Sequence, residues 1–546
     1  MRVWFLLFFA VASLPVLAGL LLPDTYDEMV PMRDGVRLYT CGTKPAAGKK
    51  MPVIIVRSPY VDGKSVNMTA FAMQSAIAYH RGYLFLMQHC RGKGRSEGHW
   101  VPFKDERSDG LALLEWIRKQ PWYNGEIFLL GGSYHSAAHW AYLDTDPPDV
   151  KGGVMSVMDV DLYNACYRNG FFKTGLFGDW ALEFYQPLKV TCGGDKSASP
   201  RDFPLADFTM RYWGVRDEML VNIMAHPRRD DLFWRSDEPG SGVEYIDAFK
   251  KSTAPFLLVT GAFDCFNEGM FEMWRTATEE RRANCSFIVN AFDHGENVSE
   301  EMRKTLARFK GGEGISSPFR IFDWFDYCRT GKPCDFAPPG KVRQYALWEN
   351  KWIESDTIEE GSRRIDMPLG EGVRQWTYDP RREPPDFPGS AAGCFGGIRL
   401  QHEPDFRDDV VSFVLPPVEE KIDLRGHMEA CLAVTSDCGD TCFFVRVSVK
   451  KSDGKWYLLR DDIMSLCGDG GDYVPGSEKQ LPFRFDNLAF RLGKGDCLRV
   501  DVASACRQFA PHGNVKGLQS EVREPKIAHN SVRAETSTLT LFARGK

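Results

Sequence analysis

The sequence predicts an α/β protein: a mostly parallel sheet covered by helices, with an inserted, mostly helical cap and a separate C-terminal all-β domain. Short apolar runs alternate with helical patterns over residues 27–158 and again over 246–335, as a parallel sheet requires. An aromatic-rich stretch, 159–245, interrupts this alternation and is expected to form the cap. Regular short strands between turn residues occupy 340–546, which predicts a β-sandwich or jelly roll.

The length and composition of the chain predict several folded domains and argue against nucleic acid as a partner. A chain of 546 residues exceeds a single hydrophobic core, and at about 100–200 residues per domain it predicts two to four units. Apolar residues make up 43% of the chain and charged residues 26%, which is ordinary globular usage. The net charge is −6 and no basic run is interleaved with aromatic residues, so nucleic acid is not an expected partner.

The first 22 residues differ in composition from the rest of the chain. Arg2 is followed by an almost unbroken apolar run from Val3 to Leu22, the pattern of an export signal. The run is nearly long enough to span a bilayer, so an uncleaved anchor is the alternative, and membrane attachment is expected through this segment alone. We expect a secreted, periplasmic or cell-envelope protein.

The most specific local pattern joins a strand to a helix through a serine. Residues 126–143 read EIFLLGGSYHSAAHWAYL, in which an apolar strand passes through Gly131, Gly132 and Ser133 into a helix. This is the layout of a nucleophile elbow, where a strained turn lifts a serine hydroxyl above the sheet edge. His135 replaces the final glycine of the usual G-x-S-x-G pattern. The alternative is a plain turn in which Ser133 only caps the helix.

An acid and a histidine follow Ser133 in the chain order that α/β-hydrolases use. The run APFLLVTGAFD ends a strand at Asp264, and NCSFIVNAFDHGEN ends the next strand at His294. We therefore expect the three side chains to meet at one edge of the sheet and to act as a catalytic triad. Asp293 is the competing acid, but as the immediate neighbour of His294 it is poorly placed to orient the imidazole.

The chain resembles the cocaine esterase and X-Pro dipeptidyl-peptidase family, which also contains the α-amino acid ester hydrolases and glutaryl acylases. The motifs that carry the resemblance are VPMRDGVRLYT, VRSPY, RGKGRSEG, GGSYHS, GAFD, FDH, TYDP and DTCFFVRVSVKKSDGKWYLL. The resemblance implies an α/β-hydrolase core, a cap and a C-terminal jelly roll of the galactose-binding type. It also implies an oxyanion hole formed by the Tyr60 hydroxyl and the Tyr134 amide.

The expected partner is a small ester, amide or short-peptide substrate, and neither a metal nor an organic cofactor is expected. In the amino-ester branch of the family, acidic residues after the catalytic aspartate bind a substrate ammonium, whereas this chain has Phe266 and Asn267 there. An amino ester is therefore disfavoured as the substrate, and the expected activity is that of a serine hydrolase that cleaves an acyl ester or amide through an acyl-enzyme. Glu268, Asp161 and Glu183 could bind a cation, which keeps a dipeptidyl-peptidase or acylase activity as the alternative. A homo-oligomer is compatible with the sequence.

Two other functions compete with a serine hydrolase. His135 and His139 lie four residues apart on one helix face, a spacing that can chelate Zn²⁺. A zinc hydrolase of that type also needs Glu after the first histidine, where this chain has Ser136. The non-enzyme alternative is an inactive ligand-binding homologue, and the complete set of serine, aspartate and histidine argues against it.

Overall fold

A computed structural model describes residues 23–61, 68–187, 193–236, 245–294, 318–389, 398–468 and 470–545. The export segment predicted for residues 1–22 lies outside these ranges. Within them, no helix combines the length and the apolar character that a membrane crossing needs. The cysteines in these ranges form no disulfide bonds with one another.

A ten-stranded mixed sheet dominates the first part of the chain. The strands there are β1 (Thr25–Pro31), β2 (Arg37–Thr43), β3 (Met51–Ser58), β4 (Leu84–His89), β5 (Tyr123–Gly132), β6 (Val150–Ser156), β7 (Tyr167–Arg168), β8 (Phe171–Phe172), β9 (Phe256–Phe263), β10 (Ser286–Asp293), β11 (Val342–Ala346) and β12 (Lys351–Ser355). The sheet has the order β1-β2-β4-β3-β5-β6-β9-β10-β11-β12, while β7 and β8 form a separate hairpin. Pairings from β4 through β11 are parallel, which confirms the predicted fold class.

Helices cover both faces of this sheet. They are, with those of the cap, α1 (Met68–His80), α2 (Glu106–Arg118), α3 (Tyr134–Leu143), α4 (Leu162–Cys166), α5 (Asp179–Phe184), α6 (Phe208–Trp213), α7 (Glu218–Ala225), α8 (Tyr245–Lys251), α9 (Asn267–Thr276), α10 (Glu279–Ala283) and α11 (Pro318–Thr330). Val53 and Ile55 of β3 pack in one apolar cluster with Trp140 of α3. Ile54 belongs to a second cluster with Trp324 of α11. Successive strand side chains point to opposite faces, so the continuous apolar run of β3 is buried on both.

The segment expected as a cap contains α4 to α7 and the β7–β8 hairpin. Many of its aromatic side chains, among them Tyr167 and Trp213, belong to the same apolar cluster as Trp140 of α3. Because the cap shares this cluster with the sheet, the burial of its aromatic side chains depends on the α/β core beneath them.

Two antiparallel sheets form the C-terminal domain. Its strands are β13 (Arg363–Pro368), β14 (Val373–Tyr378), β15 (Val411–Val414), β16 (Ile422–Ser436), β17 (Cys442–Lys450), β18 (Trp456–Ser465), β19 (Lys479–Phe485), β20 (Phe490–Leu492), β21 (Cys497–Ala503) and β22 (Ala528–Ala543). One sheet is built around β16 and β22, and the other has the order β15-β21-β17-β18. Buried side chains of both sheets, such as Leu432 and Val447, share one apolar cluster, as in a sandwich.

The start of this domain differs from the sequence-based prediction. The predicted start at residue 340 assigned two strands to the β-domain that instead complete the first sheet. There β11 pairs in parallel with β10, and β12 pairs with β11. The change of sheet therefore falls between Ser355 and Arg363. A strand pattern predicts extended backbone, but only the hydrogen-bonded partner decides which sheet a strand joins.

A largely buried cluster of one arginine and two aspartates connects the cap to the C-terminal domain. Arg168 of the β7–β8 hairpin donates from Nε to Asp462 at 2.9 Å and from Nη1 to Asp486 at 2.7 Å. Asn169 Nδ2 also donates to Asp462, at 3.0 Å. Breaking such a pair from one side leaves uncompensated buried charge, so these bonds hold the hairpin against the β-domain.

Candidate active site

Ser133 occupies a strained turn between β5 and α3. Its φ of 56° and ψ of −129° lie in a region that residues with a side chain rarely adopt. Close packing explains the glycine two residues earlier, because a Cβ on Gly131 would lie 2.6 Å from the backbone nitrogen of Ser136. Ser136 Oγ donates to the Ser156 carbonyl on β6 at 3.1 Å and fixes the start of α3 to the sheet.

The three side chains predicted to be catalytic lie in one hydrogen-bonded row. Ser133 Oγ is 3.0 Å from His294 Nε2, and His294 Nδ1 is 2.9 Å from Asp264 Oδ1. They follow β5, β10 and β9, so the carboxyl ends of parallel strands bring them together. Thr260 Oγ1 donates to the second carboxylate oxygen of Asp264 at 2.7 Å, and the Phe266 amide donates to the first at 3.2 Å. These bonds fix the carboxylate that faces the imidazole.

Burial and the neighbouring polar groups shift the pKa of His294 in opposite directions. The residue is 3% exposed, and burial disfavours its cationic form. The Cys265 sulfur and the Asp264 carboxylate favour the imidazolium more strongly, so the pKa of His294 is raised above its ordinary 6.5. Asp293, the competing acid, is the buried last residue of β10. An environment that stabilises the imidazolium suits a base that holds a serine proton during a reaction.

The two tyrosines assigned to an oxyanion hole offer different hydrogen-bond donors. The Tyr60 hydroxyl accepts a hydrogen bond from Trp180 Nε1 at 3.2 Å, and this bond does not use the phenolic proton. The Tyr134 hydroxyl is buried and donates to Glu106 Oε1 at 2.8 Å. Tyr134 is the first residue of α3, so its backbone N–H has no acceptor within the helix. Tyr60 can therefore donate from its side chain, and Tyr134 from its backbone.

Sequence reasoning missed several side chains around these groups. Trp180, on α5 of the cap, stacks against Tyr134 with ring centroids 5.9 Å apart. Phe266 lies edge-on to the His294 ring at 5.1 Å, and the Cys265 sulfur lies 3.7 Å from His294 Nδ1. The aromatic-rich stretch predicted a cap, but no local pattern showed which of its rings would contact Tyr60 and Tyr134.

Two of the three acidic residues considered for binding a substrate ammonium are paired with arginines of the protein. Glu268 accepts from Arg275 Nη1 at 2.8 Å. Asp161 caps α4 and accepts from Arg229 Nη2 at 2.8 Å. Glu183 lies exposed on α5. Arginines therefore offset the charge of two of the three carboxylates.

The two histidines considered as a zinc pair each contact a hydroxyl group. His135 Nε2 is 2.9 Å from Ser58 Oγ, and His139 Nδ1 is 2.7 Å from the Tyr142 hydroxyl. Burial lowers the pKa of His135 to about 4 and that of His139 to about 3, so both imidazoles are neutral. These contacts favour packed histidines beside the elbow over a shared metal.

A mostly parallel sheet with a strand–serine–helix turn, followed by an acid and a histidine after later strands, defines the α/β-hydrolase class. The protein is a serine hydrolase of this class. Residues 34–296 match the family model for X-Pro dipeptidyl-peptidase (S15 family), and residues 368–539 match that for the X-Pro dipeptidyl-peptidase C-terminal non-catalytic domain. The chain belongs to this family of X-Pro dipeptidyl-peptidases and related esterases.

Individual relatives agree with this assignment. Cocaine esterase from Rhodococcus sp. (strain MB1 Bresler) is 24% identical over 496 residues, which cover 81% of this chain and 82% of the esterase. The crystal structure of an aminopeptidase from a marine sediment Thaumarchaeota archaeon has a TM-score of 0.76 at 16% identity, covering 96% of this chain and 97% of the aminopeptidase. The structure of an α-amino acid ester hydrolase has a TM-score of 0.76 at 17% identity, covering 98% of this chain and 99% of the hydrolase. These structural matches show that the described part of the chain shares its fold with both enzymes.

Proposed function

We propose that this enzyme hydrolyses acyl esters through an acyl-enzyme intermediate formed on Ser133. The observation that carries the proposal is the row of two hydrogen bonds, 3.0 Å from Ser133 Oγ to His294 Nε2 and 2.9 Å from His294 Nδ1 to Asp264. A hydroxyl held on an imidazole nitrogen can lose its proton as it attacks a carbonyl, and the carboxylate keeps the imidazole in the required tautomer.

In the proposed reaction, Ser133 Oγ bonds to the acyl carbon while His294 Nε2 takes the serine proton. The tetrahedral oxyanion accepts hydrogen bonds from the Tyr60 hydroxyl and the Tyr134 amide. His294 then gives its proton to the leaving alcohol, and the ester C–O bond breaks. Water, activated by the same imidazole, attacks the acyl-enzyme and releases the acid, which restores Ser133.

The surroundings of the site support an ester without an ammonium group as the substrate. A dipeptidyl-peptidase has to bind the charged amino terminus of its substrate, for which a carboxylate is the natural partner. Glu268 and Asp161 are instead paired with Arg275 and Arg229. The relative named cocaine esterase also supports ester hydrolysis. Because the family model describes X-Pro dipeptidyl-peptidases, that activity is the second candidate.

Labelling with a fluorophosphonate probe tests the nucleophile. We expect the purified protein to be labelled, with the modified peptide containing Ser133, and Ser133→Ala to lose both label and turnover. Ser108→Ala is the matched control, since Ser108 is exposed on α2 and its Oγ donates to the Asp105 carbonyl, and it should label normally. A folded wild-type protein that does not label, or a Ser133→Ala variant that still turns over esters, would refute the proposal.

A substrate comparison tests the choice between the two activities. We expect p-nitrophenyl acyl esters to be hydrolysed with a higher kcat/KM than X-Pro-p-nitroanilides. The reverse preference would identify the enzyme as a dipeptidyl-peptidase that uses the same three residues.

We further propose that residues 1–22 direct export, on the basis of their single early arginine and apolar run. Fractionation of cells that express the full chain should recover the enzyme outside the cytoplasm. Deletion of residues 2–22 should retain it in the cytoplasm, and an unchanged distribution would contradict the proposal.

A further inference from the structure

Cys265 is a buried thiol that the proposed mechanism does not use, yet it lies against the two residues that orient the serine. Its sulfur is 3.6 Å from Asp264 Oδ1 and 3.7 Å from His294 Nδ1. Within the described ranges, these three residues are the group of histidine, cysteine and acidic side chains whose ligand atoms all lie within 4.8 Å of one another. A thiol, an imidazole nitrogen and a carboxylate oxygen are the ligands that Zn²⁺ prefers in proteins.

The separations between these atoms are close to those of a tetrahedral zinc site. Zinc bonds of about 2.3 Å to sulfur and about 2.0–2.2 Å to nitrogen and oxygen place the ligand atoms about 3.3–3.6 Å apart. The two separations that involve the Cys265 sulfur already fit, at 3.6 and 3.7 Å. The third, 2.9 Å between His294 Nδ1 and Asp264 Oδ1, has to widen by about half an ångström.

We propose that Asp264, Cys265 and His294 form an inhibitory site for Zn²⁺, with water as the fourth ligand. On binding, the Cys265 thiol releases its proton to solvent, and zinc replaces the proton on His294 Nδ1. The imidazole stays neutral because that proton is taken up at Nε2 through solvent. The thiolate and the carboxylate together balance the two charges of zinc, so the buried site acquires no net charge.

Zinc at this position blocks catalysis through the tautomer of His294. With zinc on Nδ1 and a proton on Nε2, the imidazole has no lone pair facing Ser133 and cannot accept the serine proton. The same zinc occupies the Asp264 oxygen that holds the imidazole in its active orientation. The inhibitory effect rests on the proposed function, whereas metal binding itself does not.

Activity measurements test inhibition. The full-length enzyme is equilibrated with buffered free Zn²⁺, hydrolysis of a p-nitrophenyl acyl ester is followed, and EDTA is then added. We expect inhibition that EDTA reverses. Cys265→Ser, with each variant normalised to its own metal-free rate, should need more than about 100-fold more zinc, which exceeds the roughly 10–100-fold effect of changing a residue that only supports a ligand. Cys265→Ala provides a second variant if the serine destabilises the fold.

Cys431→Ser is the matched control, because this half-buried cysteine lies on β16 of the β-domain and its sulfur contacts Gln480. It should keep both the wild-type rate and the wild-type zinc sensitivity. Wild-type enzyme that is insensitive to zinc, or Cys265 variants that are as sensitive as wild type, would overturn the proposal.

Cobalt spectroscopy tests metal binding without reference to activity. Co²⁺ bound to a thiolate gives a charge-transfer absorption in the near ultraviolet, and we expect this band in both wild-type protein and Ser133→Ala. The band should be lost in Cys265→Ser and retained in Cys431→Ser. A band that is the same in all four proteins would show that cobalt binds other cysteines and would overturn the site. If the metal-free enzyme has no esterase activity but the Cys265-dependent band is present, the proposed function fails and the metal site stands.

Discussion

Replacement of Tyr60 by phenylalanine separates catalysis from packing at this site. The ring is buried, and it meets Phe184 and His135 edge-on with centroids 5.0 and 5.2 Å away. Phenylalanine keeps these contacts and loses only the hydroxyl. In the proposed reaction, that hydroxyl is one of two groups that donate to the oxyanion.

The expected losses of kcat and of stability follow from what the Tyr60 hydroxyl does in the transition state and in the folded enzyme. Loss of one oxyanion donor typically lowers kcat by about 10²–10³-fold, which corresponds to about 2.7–4 kcal/mol of transition-state stabilisation. The folded protein loses the hydrogen bond from Trp180 Nε1, worth about 1 kcal/mol. KM should change little, because the oxyanion exists only in the transition state and the tetrahedral intermediate.

Steady-state kinetics on a p-nitrophenyl acyl ester, with urea unfolding of the same samples, measure both effects. Trp180→Phe is the control, since it removes the donor to Tyr60 but leaves the phenolic proton, and it should lower kcat by less than about tenfold. A Tyr60→Phe variant with kcat close to wild type would refute the oxyanion role. An equal loss of kcat in both variants would show that the indole contact, and not the phenolic proton, matters.

Three further predictions concern the acid, the base and the cap. Asp264→Asn should lower kcat by roughly 10⁴-fold because the imidazole adopts the wrong tautomer, whereas Asp293→Asn should lower it by less than about tenfold. The kcat/KM should rise with pH through an ionisation above 6.5, because the raised pKa of His294 keeps the inactive imidazolium present to higher pH. Arg168→Ala should lower the free energy of unfolding by about 3 kcal/mol, measured in urea, because it leaves the buried Asp462 and the half-buried Asp486 without their arginine.

Each of these has an outcome that contradicts it. An equal loss of kcat in the two asparagine variants would transfer the orienting role to Asp293 or divide it between the acids. A pH midpoint at or below 6.5 would show that burial, and not the carboxylate, dominates at His294. Arg381→Ala removes an exposed arginine paired with Asp379 and should unfold at nearly the same urea concentration as wild type. If Arg168→Ala unfolds at the same urea concentration as this control, the cap does not depend on the ion pair.

Local patterns were sufficient for the architecture and for the three residues that meet at the sheet edge. The apolar runs that end at Asp264 and His294 are buried strands, and parallel strands present their carboxyl ends together. The strained turn at Ser133 follows from small neighbours, since a side chain on Gly131 would meet the next turn of backbone. The spacing of apolar residues, the residue types at turns and the order of the motifs along the chain can all be read from the sequence alone.

Contacts between distant segments were decided only by the tertiary structure. The strands at 342–346 and 351–355 read like those of the β-domain, but hydrogen bonding to β10 places them in the first sheet. Trp180 reaches the Tyr60 hydroxyl across 120 positions of sequence, and Cys265 reaches His294 across 29. No local pattern encodes such a meeting, because it depends on how the cap and the strand-end loops pack on the sheet. The sequence by itself thus determined which residue types stand at the strand ends, and packing determined what surrounds them.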